Sequence, residues 1–150
     1  MSDFFQNGTV TTFHNLTDRP VEDLEADLLK FSKKRPLGLI LPSLFSELEG
    51  KALANIVEEL KKVPYLSEIV IGLDQANEAQ FEYAKQYFAG LPQNFKIIWN
   101  DGPRMQAITE KLREKDLAPK ERGKGSNVWN CYGYTLASNK AEVVALHDCD

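Results

Sequence analysis

The apolar run Val143-Val144-Ala145-Leu146 passes through His147 into Asp148-Cys149-Asp150, two carboxylates separated by one residue. Side chains at i and i+2 of an extended segment point the same way, so both acids can face one hard cation. Mg²⁺ or Mn²⁺ held there could bridge to a diphosphate. Glu142 to Leu146 has the composition of a strand buried on both faces, the kind found in helix-covered parallel sheets. Ligands of open α/β sheets sit beyond the carboxyl ends of such strands. Acids also end strands simply because the chain re-enters water. The weight therefore falls on what the other strands end in.

Three further apolar strands are expected. Leu37 to Leu41 is stopped by Pro42, Ile69 to Leu73 ends at Asp74, and Phe95 to Trp99 ends at Asn100-Asp101-Gly102. Glu47 follows the first strand near the start of a helix with Leu53, Ile56, Val57 and Leu60 on one face. There it can complement the helix dipole or accept hydrogen bonds from a ribose, and position alone leaves these even. Glu47, Asp74, Asp101 and Asp148 thus each follow a strand. A helix from Glu78 to Phe88 links the second and third strands, and Pro103 opens another with Met105, Ile108 and Leu112 inward. Residues 116–125 break the periodicity and carry Lys120, Arg122 and Lys124. Gly123-Lys124-Gly125-Ser126 then opens a helix with Val128, Tyr132 and Leu136. Glycines let a backbone approach a ligand, and a helix N-terminus with a lysine favours anions. A solvated flexible loop is the plainer reading, and the spacing is not that of a phosphate-binding P-loop.

The order β-α-β-α-β-α-α-β predicts an α/β fold, a Rossmann-like, mostly parallel sheet flanked by helices. Residues 1–35 read as an N-terminal arm followed by a helix with Leu24, Leu28 and Phe31 on one face, started by Thr17 or Asp18 with Pro20 in its first turn. Residues 36–150 read as the sheet domain. The 150 residues, 43% hydrophobic with net charge −4, suit one domain with a real core and lack a basic stripe for nucleic acid. No apolar run is long enough for a membrane span, and without a charged start followed by an apolar block secretion is not expected. Cys131 and Cys149 read as free buried thiols in a reducing cytoplasm. With His14 and His147 the only histidines, a His/Cys zinc site is not expected. The chain reads as the first part of a longer protein, cut at Asp-x-Asp.

Gly123-Lys124-Gly125 and Asp148-Cys149-Asp150 together resemble the nucleotide-sugar-binding half of GT-A glycosyltransferases. Pro42 to Glu47, Asp74 and Val-Ala-Leu-His-Asp-Cys-Asp more particularly resemble the glucosyl-3-phosphoglycerate synthase group, over roughly residues 36–150. The resemblance implies a metal-dependent enzyme using Mg²⁺ or Mn²⁺, a nucleoside diphosphate sugar donor and a small acceptor such as 3-phosphoglycerate, with retention at the anomeric carbon. It implies donor contacts from Pro42, Leu44, Glu47, Asp74, Gly123, Lys124 and Asp148. Glu47 would meet the ribose, Asp74 the base or ribose, and Lys124 the base and diphosphate. Asp150 would bind the metal beside Asp148. The group's Asn-Glu-Glu is Phe45-Ser46-Glu47 here, and its small-residue run after the second strand is Asp74-Gln75-Ala76-Asn77. The residues themselves assign no nucleophile or general base, and a homodimer is left open. A nucleotidyltransferase and a non-catalytic nucleotide-binding or assembly module are the rival readings. Pro42-Ser43-Leu44-Phe45 stands where a nucleotidyltransferase usually carries a basic, glycine-rich loop, which argues against the first.

Overall fold

The computed structural model describes residues 19–149; the expected arm, His14, the Thr17/Asp18 cap and Asp150 lie outside them. Helix α1 (Val21–Phe31) precedes strand β1 (Leu37–Leu44), a 3₁₀ turn (Phe45–Glu49) and α2 (Lys51–Leu60). Then come β2 (Leu66–Asp74), α3 (Glu78–Phe88), β3 (Phe95–Trp99), α4 (Pro103–Arg113), α5 (Lys124–Ser138) and β4 (Val143–Leu146). All strands are parallel, in the order β3-β2-β1-β4. The chain winds outward from β1 through β2 to β3, then returns to the other side of β1. That reversal between β1 and β4 is the switch point at which such sheets open a crevice. Among the described residues no helix is long and apolar enough to cross a membrane.

Strand alternation divides the core into two layers. Leu39, Leu41, Ile69, Ile71 and Leu73 face α2 and α3, where Leu53, Val57, Leu60, Ala84 and Phe88 close over them. Ile40, Val70 and Ile98 face the other way, toward Cys131 of α5. The even-numbered face of β2 is the track on which α5 lies. Gly72 carries Asn127, whose amide donates to the Gly72 carbonyl at 2.9 Å. Near the other end of the helix, the buried Glu68 carboxylate accepts from the Tyr134 hydroxyl at 3.1 Å and from Lys140 at 3.2 Å. A buried acid is costly unless it is paired and hydrogen-bonded, and this one is.

Several expectations are corrected. Pro42 does not stop β1, which continues to Leu44. The Ile40 carbonyl accepts the His147 N–H, so by alternation the proline nitrogen faces the β4 side, past the last β1–β4 pair, Ile40 with Leu146. No ladder bond is lost there. Strand β4 is not buried on both faces; it is a four-residue edge strand with Val143 and Leu146 more than 40% exposed. Helix α5 turns Asn127, Cys131 and Thr135 inward, leaving Tyr132 and Leu136 exposed. In α4 the inward stripe is Met105, Thr109 and Leu112, with Ile108 exposed. Helix α1 buries none of its residues; Leu24 and Phe31 are exposed and only Leu28 of the expected face is half-buried. Glu47 lies in the 3₁₀ turn rather than at the start of α2. Cys131 and Cys149 are both buried, as expected.

Two groups on α5 make the fold sensitive to alkaline pH. Burial pushes the Cys131 thiol from 9.0 to about 12. Burial, then the hydrogen bond to Glu68 and its charge, push Tyr134 from 10.0 to about 12. Both hold their protons more tightly when folded, so their contribution is complete below the unfolded values and is lost as pH rises through the folded ones. The melting temperature should fall progressively from pH 9.0 to about 12. Cys131→Ala should flatten the earlier part of that fall. An identical pH profile for the variant would remove the thiol from the account.

Candidate functional site

A cavity of about 310 Å³ opens at the switch point, at the carboxyl ends of β1, β2 and β4. Pro42, Ser43 and Leu44 supply one wall from the end of β1, and Glu47 follows from the 3₁₀ turn. Asp74, the last residue of β2, and Gln75 supply the second wall. Gly123, Lys124 and Asn127 at the start of α5 form the third, with Asp148 and Cys149 completing it. The structure therefore gathers Pro42, Leu44, Glu47, Asp74, Gly123, Lys124 and Asp148 around one space. Asp150 lies outside the described residues.

Local chemistry explains each placement. One Glu47 oxygen accepts the Leu44 N–H at 3.0 Å, closing the 3₁₀ turn. Gln75 and Gly123 have positive φ, 56° and 153°, and only the second position holds the residue suited to it. The Gly123 N–H donates to the Ser126 hydroxyl at 3.0 Å, and that hydroxyl donates to the Gly123 carbonyl at 2.8 Å, so the start of α5 is fixed at the cavity. Cys149 is 2% exposed and packs into the core. The alternation that buries it turns Asp148 outward, where its side chain is 49% exposed.

The charges are not waiting singly. Lys124 Nζ lies 2.5 Å from Asp148 Oδ1, so the loop cation and the strand-end acid already meet across the cavity. Asp74 is 3% exposed, and its Oδ1 is 2.7 Å from Arg122 Nη2. Arg122 also makes a close ion pair with Asp101. The hydrogen bond to Asp74 is the largest cause of a guanidinium pKa raised above its ordinary value; burial opposes it and the bond to Asp101 adds to it. Asp101 does not line the cavity, unlike the other strand-end acids; its second oxygen accepts the Ala76 N–H at 3.0 Å. Among the described residues no three His, Cys, Asp or Glu side chains gather as a metal cage. Asp148 alone would still suit Mg²⁺, which takes one or two carboxylates with substrate phosphates and waters.

Sequence reasoning passed over Arg122, Asn127 and Ser43. Gly72, a glycine inside an apolar strand, was the available signal for Asn127, because such a glycine marks close approach of a neighbour. Nothing local marked Arg122, whose partners lie 21 and 48 residues away.

The all-parallel sheet, its helices on both faces and the crevice at the β1/β4 switch point define a Rossmann-like α/β domain, consistent with the donor half of a GT-A fold. Two relatives make the likeness particular. The chain is 45% identical over its whole length to a glucosyl-3-phosphoglycerate synthase of Persephonella marina and 33% identical, over 99% of its length, to one of Methanococcoides burtonii. It spans 37% and 36% of those two proteins. No protein-family model matches it. No solved structure matches it.

The approach of α5 to β2 can be tested directly. A Cβ on Gly72 would lie 1.8 Å from Asn127 Oδ1 and 2.6 Å from Cys131 Sγ. Gly72→Ala should therefore destabilise the chain by about 1–3 kcal/mol in urea denaturation, the cost of overpacking a core. Adding Asn127→Ala should recover part of the loss. A single variant as stable as the parent would show that α5 has room to retreat.

Proposed function

We propose that this cavity binds the nucleoside diphosphate of a sugar donor, and that the chain is the donor-binding part of a glycosyltransferase. The observation that carries the reading is the meeting of acids from β2 and the β4 end with the Gly-Lys-Gly start of α5, over the switch point. The relatives' name adds glucose as the sugar and 3-phosphoglycerate as the acceptor.

The residues divide the work by charge. Asp74 and the pocket-facing part of Glu47 accept hydrogen bonds from ribose hydroxyls or base N–H groups, and Pro42 and Leu44 give the nucleoside an apolar wall. The first turn of α5 and Lys124 favour the diphosphate, whose negative charge grows as the anomeric carbon–oxygen bond breaks. To reach it, Lys124 leaves Asp148, which frees that carboxylate. Mg²⁺ or Mn²⁺ held by Asp148 with Asp150 would supply electrostatic stabilisation of the leaving group without a proton donor.

Calorimetry with UDP and GDP, in metal and in chelator, tests the reading. Metal should tighten binding, and Asp150→Asn should remove most of that gain. Lys124→Ala should weaken binding by about 1.5–3 kcal/mol, the range for a charged hydrogen bond, while Lys120→Ala changes little. Equal, small effects from the two lysine variants would return the loop to a solvated role. Release of nucleoside diphosphate from UDP- and GDP-glucose with 3-phosphoglycerate, assayed on a protein of the relatives' length, tests the transfer itself. Hydrolysis without transfer, or binding without turnover, would favour a non-catalytic module.

A further inference from the structure

Arg122 lines no part of the donor cavity, yet its guanidinium pairs with Asp74 in that cavity's wall. Asp74 is shared between the donor cavity and a second, polar one of about 290 Å³, lined among others by Asn100, Gln106 and Asn130. Arg122 lines only the second cavity and reaches Asp74 from behind. The Asp74 side chain is 4% exposed, so the guanidinium supplies the counter-charge that a carboxylate this deeply buried needs. The same Nη2 holds Asp101, whose other oxygen takes the Ala76 N–H. The Trp99 indole N–H donates to the Ala76 carbonyl at 2.7 Å, and its ring stacks on Phe81 at 4.7 Å. The turn after β2 and the end of β3 are thus one unit before Arg122 meets them. Gly123, with φ 153°, then turns the backbone, and the next residue, Lys124, lines the donor cavity. Cations on the two sides of one glycine therefore serve opposite sides of the same wall.

We infer that Arg122 is a positioning residue: it holds Asp74 at the donor cavity and, through Asp101, straps the loop that carries Lys124 over the strand ends. The inference rests on the donor-site reading for its consequence, but its structural half can be read without a nucleotide. Arginine suits the task because one planar group presents several donors to two carboxylates, whereas a lysine is a point charge on a flexible stem.

The test compares the parent 150-residue chain with Arg122→Met, Arg122→Lys, Asp74→Asn and the Arg122→Met/Asp74→Asn double variant. UDP and GDP affinities are measured by calorimetry with MgCl₂, and tryptic cleavage after Lys115 and Lys120 is followed by mass spectrometry. Arg122→Met should weaken nucleotide binding about tenfold or more, as loss of a charged hydrogen bond would. Arg122→Lys should recover part of it, and Asp74→Asn should add little once Arg122 is gone, because the arginine acts through that acid. Arg122→Met should lower the melting temperature, because it strands the buried Asp74 charge, and the double variant should recover part of that loss, while cleavage after Lys115 and Lys120 stays severalfold faster than in the parent in both. A purely structural arginine would lower the melting temperature without the lysine rescue or the non-additivity. Unchanged binding with unchanged cleavage, or effects of the two substitutions that multiply, would overturn the inference. Faster loop cleavage in a chain whose parent binds neither nucleotide would remove the donor reading and leave the strap standing.

Discussion

The close contact between α5 and β2 is the constraint on which the rest of the site depends. Gly72 has no side chain, so Asn127 can lie directly on the strand and bond its carbonyl. A helix that approaches this closely cannot present large apolar residues, and its buried positions are Asn127, Cys131 and Thr135. Anchoring Asn127 there sets the first turn of α5 at the mouth of the β1/β4 crevice, with Gly123 and Lys124 at its edge. The even face of β2 carries an acid toward each end of this contact. Glu68 meets Tyr134, Ser138 and Lys140 beneath the end of the helix, and Asp74 meets Arg122 just before its start. The helix is therefore held along the strand by charge at both ends and by close packing between.

Two acids of the crevice, Asp74 and Asp148, are already paired with cations. Lys124 pairs with Asp148, and Arg122 is shared between Asp74 and Asp101. These pairs differ in exposure. Lys124 and Asp148 are both about half exposed, and such pairs contribute little and exchange partners readily. Asp74 is buried, and removing its partner would leave a charge with no solvent to screen it. The two halves of the Arg-Gly-Lys segment are thus suited to different tasks, one to stay in place and one to change partner.

What the sequence by itself determined is the part written in local periodicity. The β-α order, α3 and β3 at their observed bounds and the acids at the strand ends follow from runs of apolar residues, strand alternation and helix punctuation. Each of these acts over a few residues. The family likeness was legible for the same reason, because Gly123-Lys124-Gly125 and Asp148-Cys149-Asp150 are short segments that carry their own chemistry.

Tertiary structure decided which faces those elements use and which charges meet. The apolar residues Tyr132 and Leu136 stand out in the sequence of α5, but the small groove above Gly72 takes the polar stripe beside them. Composition placed β4 in the interior, but its pairing to β1 alone leaves it at the sheet edge. Pro42 reads locally as a strand stop, but it breaks nothing where β4 no longer runs alongside. Asp101 and Asp148 look alike in sequence; one is turned toward Arg122 and Ala76 and the other toward the crevice and Lys124. Burial and ion pairing depend on neighbours brought from tens of residues away, and no local pattern records which neighbour arrives.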